Sequence, residues 1–132
     1  MIFNETITIY HHYKVDGEDK WQRTLLDNCY IQKEIIKTVG ESGIIRIADC
    51  MEVTILYREG YRSYDQWTID AGWTIDPTSN LDLLVIGECD LKIGDDISLK
   101  EAKKNNKRLF TVVALVDNTE RNKLKHWRVI AK

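Results

Sequence analysis

Histidine and cysteine are the residues of this sequence that could bind a transition metal. Cys29, Cys50 and Cys89 stand far apart and form no Cys-x-x-Cys pair, so they fit neither a zinc framework nor a disulfide framework. We expect them to be reduced and buried or partly buried. His11 and His12 are adjacent, and adjacent side chains on a strand point to opposite faces, so both cannot bind one ion without a bulge. The sequence therefore predicts no metal site, and we expect no cofactor.

Nucleophilic catalysis would need a serine or cysteine beside a base. The sequence has no Gly-x-Ser-x-Gly elbow, and its serines fall in loop or helix-cap contexts. His126 and Trp127 are neighbours in the stretch HWRVIA. If this stretch is a strand and the tryptophan faces the protein core, the histidine must face solvent. We therefore predict no catalytic residue and a protein that is not an enzyme.

Acidic residues are concentrated between residues 65 and 96. This stretch holds eight Asp and Glu residues against a single cation, Lys92. A glycosidase or a magnesium site could draw on such carboxylates, but the Asp-x-Asp-x-Asp-Gly pattern of a calcium loop is absent. A solvated acidic surface is the simpler interpretation, and such a surface repels DNA or docks a basic partner.

The C-terminal part of the chain is basic. Residues 98–132 hold 10 Lys and Arg against 3 Asp and Glu, whereas residues 1–97 hold 9 against 18. A nucleic-acid patch is one interpretation, although the pI near 5.9 argues against it. The alternative is subunit contact, in which the basic segment of one copy meets the acidic stretch of the next and closes a ring. The candidate contact residues are Lys103, Lys104, Lys107, Arg121, Lys123, Asp90, Asp95 and Asp96.

The N-terminal segment that contains His11 and His12 has the composition of β-strands. β-Branched and aromatic residues at 6–13 and 21–31 flank Asp16-Gly17, a combination that predicts an antiparallel hairpin. Alternation with period two in the second strand puts Leu25 and Cys29 on one face. Residues 37–48, which contain Gly40, Glu41, Ser42 and Gly43, are punctuated by glycine and predict an exposed loop.

The rest of the chain predicts further strands and one helix. Residues 51–57 alternate as in a half-buried strand, and residues 59–80 predict a long ordered excursion held by its aromatic residues. Ser98 and Glu101 have the spacing of a capping box at the start of a short helix. Residues 109–116 and 126–131 should pair as a hairpin. We expect one domain spanning residues 1–132, an all-β barrel or sandwich of six or seven strands with one short helix.

No long apolar run and no secretory leader is evident, so we expect a cytosolic protein, or one released by lysis, without a membrane partner. The stretches ITIYHHY, KWQRTLLDNCYIQ, MEVTILY, LLVIGE and FTVVALVDN, followed by LKHWRVIAK, span most of the chain. In this order the pieces resemble a family of small proteins encoded by phages and prophages of Gram-positive bacteria, in the head–tail joining part of the genome.

The resemblance implies a head-closure (stopper) or connector protein of the phage neck. Such a subunit forms a homo-oligomeric ring between the portal or adaptor and the tail terminator or tail tube, and it retains packaged DNA without reading its sequence. It belongs to the virion and stays in the host cytoplasm before assembly. In this interpretation Gly40–Gly43 form a gating loop. Two rivals remain: a tail-terminator or tail-completion ring subunit, and an oligonucleotide-binding β-barrel.

Overall fold

The computed structural model describes residues 2–39, 45–69, 71–120 and 123–132, and the side chains of these except at 34–39 and 45–49. Six antiparallel strands close into one barrel in the order β1-β2-β3-β6-β5-β4, with β4 pairing back onto β1. The predicted all-β fold with a single short helix is therefore confirmed, and it is a barrel. The elements are β1 (Glu5–Val15), β2 (Glu18–Val39), β3 (Ile45–Leu56), β4 (Leu83–Ile86), α1 (Leu99–Asn105), β5 (Leu109–Asp117) and β6 (His126–Ala131).

The N-terminal hairpin forms where it is predicted. Asp16 and Gly17 connect β1 to β2, and their φ angles of 51° and 81° are both positive. A two-residue turn with two positive φ angles matches the right-handed twist of the flanking strands, and Asp-Gly is among its preferred sequences. The turn thereby fixes the register that pairs Val15 with Glu18 and, further along, Tyr10 with Arg23.

The predicted alternation along β2 is wrong at one point. Leu26 and Cys29 are both buried in the barrel, whereas Leu25 is exposed. The register against β1 shifts in this region, and Asn28 has a φ angle of 51°. An extra residue in one strand reverses the parity of the side chains that follow it. Leu25 and Cys29 therefore lie on opposite faces of the strand.

β2 is long enough to serve two hairpins. Its first part pairs with β1, and from Cys29 onward it pairs with β3 as far as Val39 and Ile45. β6 pairs with β3 only from Met51 on, so the outer parts of β2 and β3 form a two-stranded extension. This two-stranded part comprises residues 34–39 and 45–50. Together with residues 30–33, which β1 no longer covers, we call it the β2–β3 ribbon. The loop predicted at 37–48 is therefore shorter than expected, because both strands run into it; Gly40–Gly43 lie outside the described residues.

Side chains fill the inside of the barrel. The inward positions of all six strands contribute to one buried cluster that includes Ile9, Val53, Leu84, Val112 and Trp127. A second cluster lies on the outer face of β1 and β4, where α1 and the segment at 88–97 cover it. The β-barrel wall is thus buried on both sides along β1 and β4, which explains the continuous apolar sequence of β4.

Later elements also agree with the sequence. Ser98 is the N-cap of α1, and its side chain accepts a hydrogen bond from the Glu101 amide at 3.2 Å. Met51, Val53 and Ile55 of β3 are buried as the alternating pattern predicts, but Thr54 on the opposite face is buried as well, and Tyr57 is exposed because the strand ends at Leu56. β5 and β6 pair as the predicted hairpin. Within the described residues, no helix has the length and apolar character that a membrane crossing requires.

Candidate functional site

The excursion between β3 and β4 places an aromatic cluster at one end of the barrel. Trp127 of β6 is almost fully buried, and its ring stacks on Tyr57 with centroids 5.7 Å apart and planes inclined by 20°. Tyr61 and Trp73 also contact it, each with centroids 5.0 Å away. Two aromatic residues of the excursion, Tyr61 and Trp73, therefore pack on the last strand.

A cavity of about 520 Å³ opens beside this cluster. Arg58 is held at its wall by Asp27, whose carboxylate accepts a hydrogen bond from the guanidinium at 2.9 Å. Arg62 donates to the Tyr61 carbonyl at 3.0 Å. Burial, followed by the nearby charge of Asp117, raises the pKa of Tyr61 to about 12, so its phenol stays neutral. The lining residues are Tyr57, Arg58, Glu59, Gly60, Tyr61, Arg62, Thr119 and Trp127.

The groups that line this cavity are suited to binding. Guanidinium groups and aromatic faces recognise planar and anionic groups, whereas acyl or glycosyl transfer requires a nucleophile beside a base or a pair of close carboxylates. Among the lining residues that the structure describes, Glu59 alone carries a carboxylate. The sequence did not reveal this site, because its residues come from two segments about sixty positions apart.

His126 does not face solvent, contrary to the prediction. Its side chain is buried because the β5–β6 loop folds over it. The Asn118 amide lies 3.2 Å from Nε2, and Nδ1 lies 2.6 Å from the Leu124 carbonyl. A carbonyl can only accept, so Nδ1 carries the proton and Nε2 accepts from the amide. Both ring nitrogens of His126 are therefore engaged within the chain.

His11 and His12 have different neighbours. His11 packs edge-on against Trp67, with ring centroids 4.5 Å apart. The His12 ring bonds Asp19 at 2.8 Å and contacts Trp21. Among the residues that the structure describes, no three His, Cys, Asp or Glu side chains come together as metal ligands.

Asp82 is the most deeply buried carboxylate of the described part. It accepts hydrogen bonds from His11 Nδ1 at 2.8 Å, from the His12 amide at 2.9 Å and from the Asp76 amide at 2.7 Å. Its exposed fraction is 0%, so it does not belong to the solvated acidic surface that the sequence predicts for residues 65–96. Its hydrogen bonds instead connect β1 to the end of the excursion at Asp76.

The candidate contact residues on the helical side lie close to each other along the chain and in space. Lys103 and Lys104 are exposed in the last turn of α1, and Lys107 is exposed in the turn that follows. Asp90 and Asp96 are exposed in the segment at 88–97, which covers the same outer cluster as α1. Basic and acidic candidates therefore lie together over the outer face of β1 and β4.

Asp95 already has a partner within the chain. Its carboxylate lies 2.7 Å from Lys20 Nζ, and this hydrogen bond lowers the pKa of Asp95 and raises that of Lys20. Lys123 is exposed in the β5–β6 loop, separated from Lys107 by a nine-residue strand that spans roughly 30 Å at 3.3 Å per residue. Arg121 lies outside the described residues.

The three cysteines are free and buried. Burial raises the pKa of the Cys29 thiol to about 12. Because the thiolate is the reactive form, its population at neutral pH is roughly 1,000-fold below that of an unperturbed thiol.

We therefore expect the native protein to react with a thiol reagent at pH 8 at least about 100-fold more slowly than the urea-unfolded chain, in which all three thiols react. A Lys14→Cys variant adds one exposed thiol and should give a single fast phase. A fast phase in the unmodified native protein would contradict this prediction.

These observations define a small closed antiparallel β-barrel with an aromatic cavity at one end, a charged flank and a projecting two-stranded ribbon. The chain belongs to the family of unknown function DUF6751, whose pattern it matches over residues 2–132. No curated protein and no solved structure matches the chain.

Proposed function

We propose that this chain is a structural subunit of a bacteriophage neck. In this role it forms a ring between the portal or adaptor and the tail, retains packaged DNA and provides the platform on which the tail docks. The resemblance of its sequence to head–tail joining proteins suggests this function. The β2–β3 ribbon is the structural observation that supports it most.

The ribbon extends away from a barrel that is already closed and filled. From Lys33 to Val39 it runs about 23 Å at 3.3 Å per residue, past the point where β6 stops pairing with β3. A barrel of this size needs no such extension for its own core. An arm of this length can reach a neighbouring subunit or the axis of a ring, and a neck protein requires both kinds of contact.

The chemistry of the described side chains also favours a structural role. The three histidines all bond partners within the chain. Exposed charges of both signs lie over one flank of the barrel, where α1 and the segment at 88–97 meet. Opposite charges on a surface favour stacking on neighbours, and exposed carboxylates limit adhesion to DNA.

The decisive experiment is electron cryomicroscopy of particles from the virus or prophage that encodes this chain. The proposal expects a closed ring of copies on the DNA axis between portal and tail. A ring at the tail end of the joint, next to the tube, would instead identify a tail terminator. Absence of the protein from purified particles would refute the proposal.

Charge reversal on the α1 side gives a separate prediction. The variant Lys103→Glu, Lys104→Glu, Lys107→Glu should reduce the yield of joined particles by at least about tenfold, because like charges across an interface cost several kcal/mol. The measurement is the ratio of tailed to tailless heads in a complementation assay.

A matched control reverses three other exposed lysines, at positions 14, 125 and 132, to Glu. This control should join heads to tails normally. Circular dichroism should show that both variants keep the fold of the parent protein. Normal joining by the α1 variant would exclude stacking through this flank.

One observation favours oligonucleotide binding as a second candidate. Tyr57, Tyr61, Arg58 and Arg62 line the cavity at the barrel end, and aromatic faces with guanidinium groups are used to bind single strands. Such binding would weaken steeply as salt increases. A titration of oligothymidine at two salt concentrations tests it, and the absence of binding at low salt would remove this candidate.

A further inference from the structure

The β2–β3 ribbon has two strand edges that no other described strand covers. β1 pairs with β2 no further than Cys29, and β6 pairs with β3 only from Met51. Each strand of the ribbon therefore pairs on one side only. The N–H and C=O groups on the other side are available for a further strand.

The hydrogen bonds at the barrel end show which residues of β3 face outward. The Tyr57 amide donates to the Lys125 carbonyl at 3.0 Å, so the backbone of Tyr57 faces β6. The Asn118 amide bonds the His126 carbonyl, so His126 faces away from β3 and supports the same alternation. Both ladders of β3 keep an unbroken register, and every second residue before Tyr57 faces β6. In the ribbon these residues are Ile45, Ile47 and Asp49.

The outward residues of β2 follow from the same alternation. Cys29 lies opposite Ile55, and Ile55 faces β6, so this pair exchanges no hydrogen bonds and the next pair, Tyr30 with Thr54, does. Even-numbered residues of the ribbon therefore face β3. The residues that face the uncovered edge are Ile31, Lys33, Ile35, Lys37 and Val39.

The composition of the ribbon favours a further strand on these edges. Residues 31–39 and 45–50 contain five isoleucines and a valine, and they contain neither proline nor glycine. An isolated two-stranded ribbon is at best marginally stable in water, and proteins usually interrupt edges that must stay free. The ribbon also mixes Lys33, Lys37 and Arg46 with Glu34 and Asp49, which suits a partner of equally mixed charge, such as a second copy, better than a polyanion.

We infer that the ribbon pairs with the ribbon of a neighbouring copy, the β2 edge of one against the β3 edge of the next. The two edges run in opposite directions, so rotation about a ring axis brings them together as an antiparallel pair. Each copy then uses both edges, and the contact repeats until the ring closes. This inference rests on the proposed function, since it names the contact that would hold the ring together.

Proline substitution at outward-facing positions tests the pairing of the edges without changing the stability of the ribbon itself. Proline removes one N–H and is tolerated in a strand where that N–H faces outward. Lys37→Pro therefore leaves the β2–β3 ladder intact and interrupts only the uncovered edge. Lys37→Thr removes the same side chain and keeps the N–H, so it is the matched control. Ile47→Pro and Ile47→Thr form the equivalent pair on the β3 edge.

The measurement is the mass of the purified protein by light scattering over a concentration series, with hydrogen exchange of residues 31–39 and 45–49 in the largest species. We expect the parent protein and both Thr variants to associate and to protect the outward amides. Each Pro variant should associate roughly tenfold more weakly, since each lost hydrogen bond contributes up to about that factor. Circular dichroism should show an intact barrel in all of them.

Two results would overturn the inference. One is a parent protein that stays monomeric up to millimolar concentration. The other is association that the Pro variants share unchanged. Both results are independent of particle imaging. A neck ring that forms without ribbon pairing would support the proposed function and overturn this inference. Ribbon pairing in a protein that is absent from particles would support this inference and refute the proposed function.

Discussion

Trp127→Ala should be among the most destabilising single substitutions in this chain, lowering the free energy of unfolding by about 4 kcal/mol. Trp127 is 1% exposed and contacts Tyr57, Tyr61 and Trp73. Truncation leaves a void that these aromatic residues cannot fill, because the backbone of the excursion fixes their positions. The cost therefore combines lost burial with a residual cavity. Urea denaturation followed by circular dichroism measures it.

Trp127→Phe tests whether packing or hydrogen bonding dominates at this position. The buried Trp127 Nε1 has no hydrogen-bond partner among the described atoms, so phenylalanine gives up no such bond. We expect a smaller loss of about 1–2 kcal/mol, from the volume difference alone. Leu124→Ala, at a position that is 53% exposed, should lie within about 0.5 kcal/mol of the parent protein. If Trp127→Ala cost no more than Leu124→Ala, the central place of Trp127 in the core would be refuted.

Features with short-range causes could be predicted from the sequence. The Asp16-Gly17 turn needs only two residues that accept positive φ, and the cap of α1 needs only Ser98 and the amide of Glu101. The same holds for the β5–β6 hairpin, since its two strands are consecutive. In each case, the interactions that decide the structure lie within a few residues or between neighbouring strands.

Features that depend on distant partners could not be predicted. Asn28 looks like any polar strand residue, yet its positive φ accompanies the register shift that buries Cys29 on the face opposite Leu25. His126 alternates with Trp127 in sequence, and it is buried nonetheless because the preceding loop supplies Asn118 and a carbonyl. Alternation predicts which face a side chain takes and does not reveal what covers that face.

The candidate contact residues illustrate the same limit. The sequence locates Lys103, Lys104 and Asp96 on exposed segments, as the structure does. It cannot reveal that Asp95 pairs with Lys20, which is 75 positions away along the chain. The sequence also could not predict the uncovered edges of the ribbon. Which of its residues face outward follows from hydrogen bonds at the other end of the barrel.

Asp82 shows most clearly how a tertiary partner changes the role of a residue. In the sequence it is one of eight carboxylates in an acidic stretch, but in the structure it is fully buried. Its oxygens accept from His11 and the His12 amide, both in β1, and from the Asp76 amide in the excursion. A buried carboxylate is tolerated when its hydrogen-bonding capacity is used in this way.

Asp82→Ala should therefore lower the free energy of unfolding by about 3–5 kcal/mol, since it leaves several buried donors without an acceptor. Asp82→Asn keeps the volume and one acceptor oxygen, and its loss should be smaller, about 2–3 kcal/mol. The exposed Asp90→Ala is the control and should change stability by less than about 0.5 kcal/mol.

Hydrogen exchange distinguishes a local from a global effect of the Asp82 substitutions. The amides of His12 and Asp76 donate directly to this carboxylate, so in Asp82→Asn the exchange of at least one of them should accelerate more than that of core amides such as Val53. Uniform acceleration would mean that Asp82 contributes only to overall stability. Equal stability of Asp82→Ala and Asp90→Ala would show that the carboxylate does not hold the excursion against β1. Because that excursion also carries Tyr61 and Trp73, the loss of this anchor should widen the aromatic cavity at the barrel end.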